Sequence, residues 1–327
     1  MDRTRNENQK IRIGIIGLGS IGWTHINALH ELGVTSIYAL RTNKGAKVID
    51  DLKGVKQLFN LEEFLALNLN GIIISNPTAL HVETILSLNA LNIPLFVEKP
   101  IASETKELEQ LTHFNKNLIK VGYCLRYHPI IKKVKSLLNN NLIGNIFHSR
   151  IQVGQYLPSW HPYTDYRKEY FSRKELGGGA LRTLSHELDL LVFFLNEPEK
   201  VYSLTGKISD LEIDVDDYSI IIAKYKTMVS RVELDFFSLN TYRNGSFYGD
   251  NGEIHYDAIK KTITITYRDN NKPEEIINTF KETNMYVEQM QDFLNTINGK
   301  PSQLCTYKEA VSVMNIIEES ENNNYIN

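Results

Sequence analysis

The sequence predicts an α/β protein with a doubly wound parallel sheet followed by an α+β domain, whose large sheet is mainly antiparallel and open-faced. Three features of the 327 residues carry this prediction. Short apolar runs alternate with helical patterns up to about residue 124, a glycine-rich turn follows the first run, and apolar residues later recur at every second position. We therefore expect one domain in residues 1–124 and a second in residues 125–327.

Six apolar runs in the first domain have the length of buried strands. The first covers Ile11 to Ile16, and "GIIIS" at residues 71–75 is the most regular. Each run is too short for a typical helix. Helical patterns separate them, including one near residues 46–52 and one that Asn60 caps. Strands alternating with helices favour right-handed crossovers, and therefore a parallel sheet covered on both faces.

Composition excludes several classes of function. The net charge is −3 and the pI about 6.3, so no basic surface favours nucleic acid or an anionic membrane. The amino terminus is polar, and no apolar run approaches the roughly 18 residues of a membrane span. Cys124 and Cys305 form neither a disulfide framework nor a metal-ligand spacing. We expect a cytoplasmic protein without a metal site.

A glycine motif follows the first predicted strand and opens a helix. Its residues are Gly17, Gly19 and Gly22, with Ser20 and Ile21 between them. Gly17 permits a tight turn, Gly19 allows backbone to approach a pyrophosphate, and Gly22 allows the helix to pack on the strand. The helix N-terminus supplies N–H groups for phosphate. The motif predicts dinucleotide binding; the alternative is a glycine-rich turn without a ligand.

The end of the second strand favours NADP(H) over NAD(H), although NAD(H) stays possible. An NAD enzyme usually places Asp or Glu there, but no acid lies between Gly33 and Val48. Arg41 can grip a 2′-phosphate, with Thr42 and Lys44 as further donors. The alternative is that these three are solvated loop residues.

Polar residues follow two later strands, where ligands of doubly wound sheets bind. "SNPTALH" follows the fourth strand and "VEKP" ends the fifth. Each proline keeps the preceding residue extended, so we expect Asn76, Glu98 and Lys99 to project into the crevice beside the cofactor.

These motifs, in this order, resemble the glucose–fructose oxidoreductase/inositol dehydrogenase (Gfo/Idh/MocA) family. "GYCLRYHP" at 122–129 and "GGGALRTLSHELD" at 177–189 extend the resemblance over nearly the whole chain. It implies an N-terminal Rossmann domain, a C-terminal sheet domain, and NAD(P)-dependent oxidation or reduction of sugars or polyols. It also implies cofactor contacts from Asn76, Pro77, Thr78, His81 and Glu98.

The resemblance implies two catalytic residues from different domains. The lysine of the family's E-K-P motif corresponds to Lys99, whose ammonium can polarise a carbonyl or stabilise an alkoxide. The family's catalytic histidine aligns with His186, as general base or acid. Asp189, three residues later, can fix its tautomer. The alternatives are a solvent-exposed lysine paired with Glu98 and a histidine bonded to a nearby carbonyl.

One position departs from the family pattern. An acid often stands four residues before the catalytic histidine, but here that residue is Arg182. A guanidinium cannot be a base, and it favours an acidic or nucleotide-linked sugar.

A segment rich in aromatic and polar residues is predicted to bind the substrate. The rings of Trp160, Tyr163 and Tyr166 can stack on a sugar, and the other side chains can hydrogen-bond to its hydroxyl or carboxylate groups. The alternative is that the aromatic residues belong to the core or to an interface. The candidates in this segment, residues 155–167, are Trp160, His161, Tyr163, Asp165, Tyr166 and Arg167. Arg126 and His128 of "GYCLRYHP" are further candidates.

The predicted function is a dehydrogenase or reductase that transfers a hydride between NAD(P) and a CH–OH carbon of a sugar. Two alternatives stay open: a cofactor-binding sensor or scaffold that performs no chemistry, and a reductase of a non-sugar carbonyl or imine. The free face of the C-terminal sheet predicts a homodimer or homotetramer.

Overall fold

The computed structural model describes residues 10–41, 54–269 and 272–322, which form two compact units. Unit 1 comprises Met1–Tyr127 and Thr283–Val311; unit 2 comprises His128–Glu282 and Ser312–Asn327. The helix predicted near residues 46–52 lies outside the described residues. Within the described ranges, every helix is too short or too polar to cross a membrane.

Unit 1 contains a seven-stranded sheet, which confirms the predicted parallel architecture. The strands are β1 (Arg12–Ile16), β2 (Ser36–Leu40), β3 (Val55–Leu58), β4 (Gly71–Ile74), β5 (Leu95–Val97), β6 (Ile119–Val121) and β15 (Cys305–Thr306). Their order is β15-β6-β5-β4-β1-β2-β3. Only the edge pair β15–β6 is antiparallel among the described strands of this sheet. Because β1 and β4 are covered on both faces, they are almost wholly apolar.

Helices connect these strands. They are α1 (Ser20–Glu31), α2 (Leu61–Leu65) and α3 (His81–Ser87). The Asn60 side chain accepts from the Glu63 backbone N–H, which confirms the predicted cap. Between β5 and β6 the chain forms a 3₁₀-helix, Thr105–Leu111, which begins with a capping box.

The C-terminal part of the chain departs from the predicted domain division, because residues 283–311 belong to unit 1. Helix α7 (Met285–Ile297) places Met290, Phe293 and Leu294 in the same core as Ile26 and Leu29 of α1. The apolar face of α7 is therefore buried in unit 1, whereas its position in the sequence predicted that the helix belongs to the second domain.

Unit 2 contains an eight-stranded sheet that is mostly antiparallel, as predicted. Its strands are β7 (Ile146–Gly154), β8 (Lys200–Gly206), β9 (Tyr218–Lys224), β10 (Val229–Asp235), β11 (Tyr242–Gly249), β12 (Gly252–Asp257), β13 (Thr262–Tyr267) and β14 (Glu275–Ile277). Their order is β14-β13-β12-β11-β7-β10-β9-β8, and β7–β10 is the parallel pair. Asp250 and Asn251, whose residue types favour a turn, form a two-residue hairpin loop between β11 and β12.

The helices of unit 2 pack on one face of this sheet. They are α4 (Pro129–Asn139), α5 (Ala180–Thr183), α6 (His186–Leu195) and the end of α8 (Tyr307–Asn322). Residues 179–195 do not form one continuous helix, because the helical structure is interrupted at Leu184 and Ser185. Thr183 precedes this break and Ser185 lies in it, and their hydroxyl groups make both residues weak helix formers.

Candidate active site

The glycine turn of unit 1 packs directly on the end of β4. Gly17 has a φ of +100°, and a Cβ there would meet backbone atoms of Ser75 and Asn76, 2.5 Å from the Ser75 carbonyl carbon. The Ser75 hydroxyl donates to the Gly17 carbonyl at 2.8 Å. Only glycine suits both the backbone angle and the contact. The turn is therefore fixed between β1 and β4.

The next glycine of the motif faces open space. A Cβ on Gly19 would have no heavy atom within 4 Å, whereas one on Gly22 would meet the Gly17 carbonyl oxygen. Gly19 is also the N-cap of α1 and gives that helix no side-chain cap. Ser20 and Ile21 form the first turn of α1, whose N–H groups have no partner within a helix. This arrangement fits the pyrophosphate of a dinucleotide.

Asn76 provides a buried acceptor at the same edge. Its side-chain nitrogen donates to the Thr84 hydroxyl at 2.8 Å, while its Oδ1 is buried without a hydrogen-bond partner. A buried amide oxygen without a donor is costly, so a donor from a bound ligand would satisfy it. Pro77 and Thr78 follow at the start of a short 3₁₀-helix.

His81, predicted to contact the cofactor, has both ring nitrogens next to main-chain carbonyl groups. Its Nδ1 lies 2.9 Å from the Pro100 carbonyl and its Nε2 lies 3.0 Å from the Asn76 carbonyl. Burial lowers the pKa of His81, and the two carbonyl contacts oppose this shift. Because both ring nitrogens face protein carbonyls, the imidazole joins the segments after β4 and β5.

The Glu98 carboxylate, the acid of the "VEKP" motif, has two hydrogen-bond partners. Its Oε1 lies 2.7 Å from Nε2 of His25, which is fully buried, and its Oε2 accepts from the Lys99 backbone N–H at 3.1 Å. A Cβ on Gly122 would lie 2.8 Å from Oε1, so this glycine makes room for the carboxylate. Glu98 thus fixes the main chain of Lys99, which is partly exposed.

Arg41 lies at the end of β2, where an adenosine ribose is expected. Its Nη1 donates to Oε1 of Gln57 on β3 at 2.8 Å. Gln57 therefore holds the guanidinium at the carboxyl edge of the sheet. Thr42 and Lys44, predicted to act beside Arg41, lie outside the described residues.

Two predicted substrate residues have structural partners instead. Arg126 is buried in unit 1, where its Nη1 donates to Glu309 at 3.0 Å and to the Gln303 carbonyl at 3.3 Å. His128 caps α4 in unit 2, since its Nδ1 accepts from the Ile130 N–H at 3.3 Å. Burial lowers the pKa of His128, and the charges of Arg243 and Lys261 lower it further.

Trp160 and His161 contact aromatic rings of unit 2, although His161 itself is exposed. The Trp160 ring makes edge contacts with Phe171 and Phe236, at centroid distances of 5.2 and 5.4 Å. His161 stacks on Phe171 at 6.0 Å. The Trp160 Nε1 is buried without a hydrogen-bond partner, so Trp160 retains a donor for a ligand.

The charged groups of the same segment bind one another. Arg167 forms a two-point ion pair with Asp165, at 2.7 and 3.1 Å, and donates to Glu212 at 2.9 Å. The Tyr166 hydroxyl accepts from the Glu212 N–H at 3.3 Å, and the Tyr163 side chain is 99% exposed. The charges of Asp165 and Arg167 are therefore compensated by side chains of the same unit.

His186 is the first residue of α6 and is half-buried. Asp189 lies one turn later on the same helix and is fully buried. Between them, the buried Glu187 accepts from Nε of Arg243 at 2.7 Å. The α6 N-terminus is thus anchored to β11, which holds the position of the histidine backbone.

Arg182 binds an acid of its own unit. Its Nε and Nη2 donate to the two carboxylate oxygens of Glu321 on α8, at 2.6 and 2.8 Å. The guanidinium fork of Arg182 is therefore occupied by a carboxylate of the same unit. Nearby, Asp216 accepts from the Leu181 N–H at 2.8 Å, and burial raises the pKa of Asp216 to about 6.

Of the predicted cofactor residues, those of the glycine turn follow β1, Asn76 to His81 follow β4, and Glu98 and Lys99 follow β5. His25, Gly122 and Gln57 were not predicted from the sequence. The one sequence signal for His25 was a histidine within the apolar helix that follows the glycine turn. The described ranges hold no cluster of three His, Cys, Asp or Glu residues able to bind a metal ion.

Family models match both halves of the chain. Residues 11–123 match the model of an oxidoreductase family with an NAD-binding Rossmann fold. Residues 131–255 match the model of the GFO/IDH/MocA C-terminal domain.

Similar proteins include dehydrogenases of sugars and cyclitols. An oxidoreductase of Formosa agariphila is 23% identical over 94% of this chain and 98% of its own. Myo-inositol 2-dehydrogenase of Thermotoga maritima is 23% identical over 89% and 90% of the two chains. In structure, UDP-N-acetylglucosamine 3-dehydrogenase from Acidithiobacillus ferrooxidans aligns with a TM-score of 0.76 at 16% identity, covering 96% and 97% of the chains.

Proposed function

The chain belongs to the Gfo/Idh/MocA family of NAD(P)-binding oxidoreductases, and we propose that it is a dehydrogenase acting on a CH–OH group of a sugar or sugar derivative. The observation that carries this proposal is the arrangement around Glu98, which fixes Lys99 at the same sheet edge as the open glycine turn. Relatives that act on inositol and on glucose 6-phosphate support a polyhydroxylated substrate.

The cofactor would lie along the carboxyl ends of the unit 1 strands. The N–H groups at Gly19 and Ser20 would bind the pyrophosphate, and the Asn76 Oδ1 would accept from the ribose or carboxamide. Arg41, held by Gln57, would bind a 2′-phosphate, which supports NADP(H) as the preferred cofactor. When bound, the nicotinamide supplies or accepts the hydride.

Lys99 would act on the reacting oxygen of the substrate. An ammonium in a partly enclosed site stabilises negative charge that develops on this oxygen when its proton leaves. The Lys99 main chain is held by Glu98, and Glu98 in turn by the buried His25. This support reduces the conformational freedom of the lysine before the substrate binds.

His186 would carry the proton. In oxidation a neutral imidazole accepts the proton of the substrate hydroxyl, and in reduction an imidazolium returns it. A histidine suits both directions because its ordinary pKa lies near neutrality. Asp189, one turn along α6, would act as the residue that orients the ring.

The substrate would meet the 155–167 segment of unit 2. Trp160 offers an unpartnered indole N–H, and Tyr163 offers an exposed ring. Because Asp165, Arg167 and Arg182 are neutralised within the protein, a neutral sugar fits the described side chains better than an acidic one.

The proposed activity is tested by following nicotinamide absorbance with purified protein, NADP+ or NAD+, and a panel of sugars and polyols. The panel includes inositols, free aldoses, sugar phosphates and nucleotide sugars, with the matching keto forms assayed in reverse with NADPH. Turnover on at least one polyhydroxylated compound supports the proposal. Cofactor binding without turnover on the whole panel, in both directions, would favour the sensor or scaffold function instead.

The outer face of the unit 2 sheet supports a homodimer or homotetramer. Tyr202 and Leu204 on β8 are about half exposed, at 50% and 44%. Exposed apolar side chains on adjacent positions of a flat sheet favour association with a second copy. Light scattering should give a dimer or tetramer for the wild type and a smaller species for Leu204→Arg; a monomeric wild type would contradict this proposal.

A further inference from the structure

We propose that unit 1 contains a second small-molecule site, which binds a planar aromatic carboxylate. A cavity of about 500 Å³ lies where the start of β6 meets the start of α8. Its lining includes Lys116, Lys120, Lys308, Tyr307 and Val311. This volume is within the range of small-molecule pockets in proteins.

The cavity is separate from the proposed cofactor site. Lys116 precedes β6 and Lys120 lies within it, at the end of the sheet where β6 pairs with β15. The glycine turn follows β1, and β5 and β4 separate β1 from β6. The cofactor residues also follow the carboxyl ends of their strands, whereas Lys116 stands at the amino end of β6. Nothing in the proposed dehydrogenase reaction uses this cavity.

The charges of the cavity favour an anion. Among the described residues that line it, three are lysines and none is Asp or Glu. The acid that follows on α8, Glu309, is already bound: its Oε1 accepts from Arg126 at 3.0 Å and its Oε2 from the Thr306 N–H at 2.8 Å. A carboxylate entering the cavity would therefore meet ammonium groups without competition from a lining acid.

The residues that line the cavity favour an anion that also carries a flat aromatic ring. Tyr307 is half-buried, and its hydroxyl donates to the Leu108 carbonyl at 3.4 Å, which orients the ring. Lys116 Nζ lies 5.3 Å from the centre of this ring. Val311 stands one turn along α8 from Tyr307 and adds an apolar side chain to the lining. An aromatic ring can stack on Tyr307 while its carboxylate reaches the lysines.

Three probes distinguish the contribution of the aromatic ring from that of the negative charge. Titration calorimetry on the full-length protein compares 2-naphthoate, which has both a flat body and a charge, with 2-naphthamide and inorganic sulfate, which have one each. We expect 2-naphthoate to bind at least about tenfold more tightly than either, since both parts of the cavity contribute. Saturating NADP+ should leave its Kd unchanged within about twofold, because the two sites are separate.

Variants assign the binding to the cavity. Lys116→Gln combined with Lys120→Gln should raise the Kd for 2-naphthoate by at least about tenfold, and Tyr307→Leu by several-fold. Lys56→Gln is the matched control, because Lys56 is an exposed lysine on β3 at the other edge of the same sheet. A Kd for the double variant equal to that of Lys56→Gln would overturn the proposal. Displacement of 2-naphthoate by NADP+ would overturn it as well. Neither result depends on the dehydrogenase activity.

Discussion

The Nε2 of buried His25 lies 2.7 Å from the Oε1 of Glu98, and this contact joins the first helix of unit 1 to the strand end that carries Lys99. A carboxylate at the end of a buried strand is costly unless it is hydrogen-bonded. Glu98 meets this requirement with His25 on one side and the Lys99 N–H on the other. The acid beside the lysine is therefore a support for the proposed catalytic group.

Removing this support should reduce both stability and turnover. Glu98→Ala leaves the buried Nε2 of His25 without its acceptor, so the free energy of unfolding should fall by about 1–3 kcal/mol. The kcat should fall by more than about tenfold because Lys99 loses its anchor. Urea unfolding and steady-state kinetics measure the two effects. Glu83→Ala, an exposed glutamate on α3, is the control; a Glu98→Ala variant that behaves like this control would contradict the proposed support.

The two glycines at the turn should respond differently to an added methyl group. Gly17→Ala forces a side chain into a positive φ and against Ser75, so we expect a loss of about 1–3 kcal/mol in unfolding free energy. Gly19→Ala meets open space and should fold like the wild type. Its Kd for NADP+ should nevertheless rise at least about tenfold, because the methyl group occupies the path of the pyrophosphate. Wild-type nucleotide affinity in Gly19→Ala would show that the turn does not bind the dinucleotide.

Cofactor preference should depend on Arg41. Arg41→Ala removes a charged hydrogen-bond donor, so KM for NADP+ should rise by about 10- to 100-fold while KM for NAD+ changes little. Gln57→Ala should give a smaller change in the same direction, because Gln57 only positions the guanidinium. Equal KM values for the two cofactors in the wild type, left unchanged by Arg41→Ala, would refute the preference for NADP(H).

The free energy of unfolding should fall in mild acid because of two histidines, the buried His81 and the partly buried His128. Burial holds the pKa values of His81 and His128 below the ordinary 6.5, so their contribution is complete above 6.5 and is lost as the pH falls through the lowered values. Asp216 acts in the opposite direction: because its pKa is raised to about 6, its protonated form stabilises the fold at low pH and this gain disappears as the pH rises through about 6.

The variant His128→Asn isolates one of these contributions. Asparagine keeps an N-cap acceptor for α4 but has no titrating group. The loss of unfolding free energy between about pH 7.5 and pH 5.5 should therefore be smaller in His128→Asn than in the wild type. Chemical unfolding at the two pH values measures this, and an identical loss in both proteins would show that His128 does not contribute.

Patterns within a short stretch of sequence predicted the architecture well. The glycine motif, the fully apolar strands β1 and β4, and the alternation in β13 each follow from local burial requirements. The Asn60 cap and the loop at Asp250 and Asn251 are likewise local. The assignment of α7 to the second domain differs from the structure, because an amphipathic pattern shows that one face of a helix is buried but not which domain buries it.

Partners that are distant in sequence limited the prediction of the site. Arg126 is neutralised by Glu309, 183 residues away, and Arg182 by Glu321, 139 residues away. The residue types were suitable for binding a substrate, but nothing near them in the sequence shows that the structure already supplies their counter-charges. His25 was missed for the same reason, since its acceptor Glu98 is 73 residues away.

The central claim is that Lys99 and His186 act on the same substrate oxygen during turnover. A double-mutant cycle on kcat tests it most directly, with Lys99→Ala, His186→Ala and the double variant assayed at saturating cofactor and substrate. Each single variant should lose about 100-fold or more, and the double variant little more than the worse single one, because groups that act as a unit are not additive. Wild-type-like turnover in either single variant, or losses that multiply in the double variant, would contradict the claim.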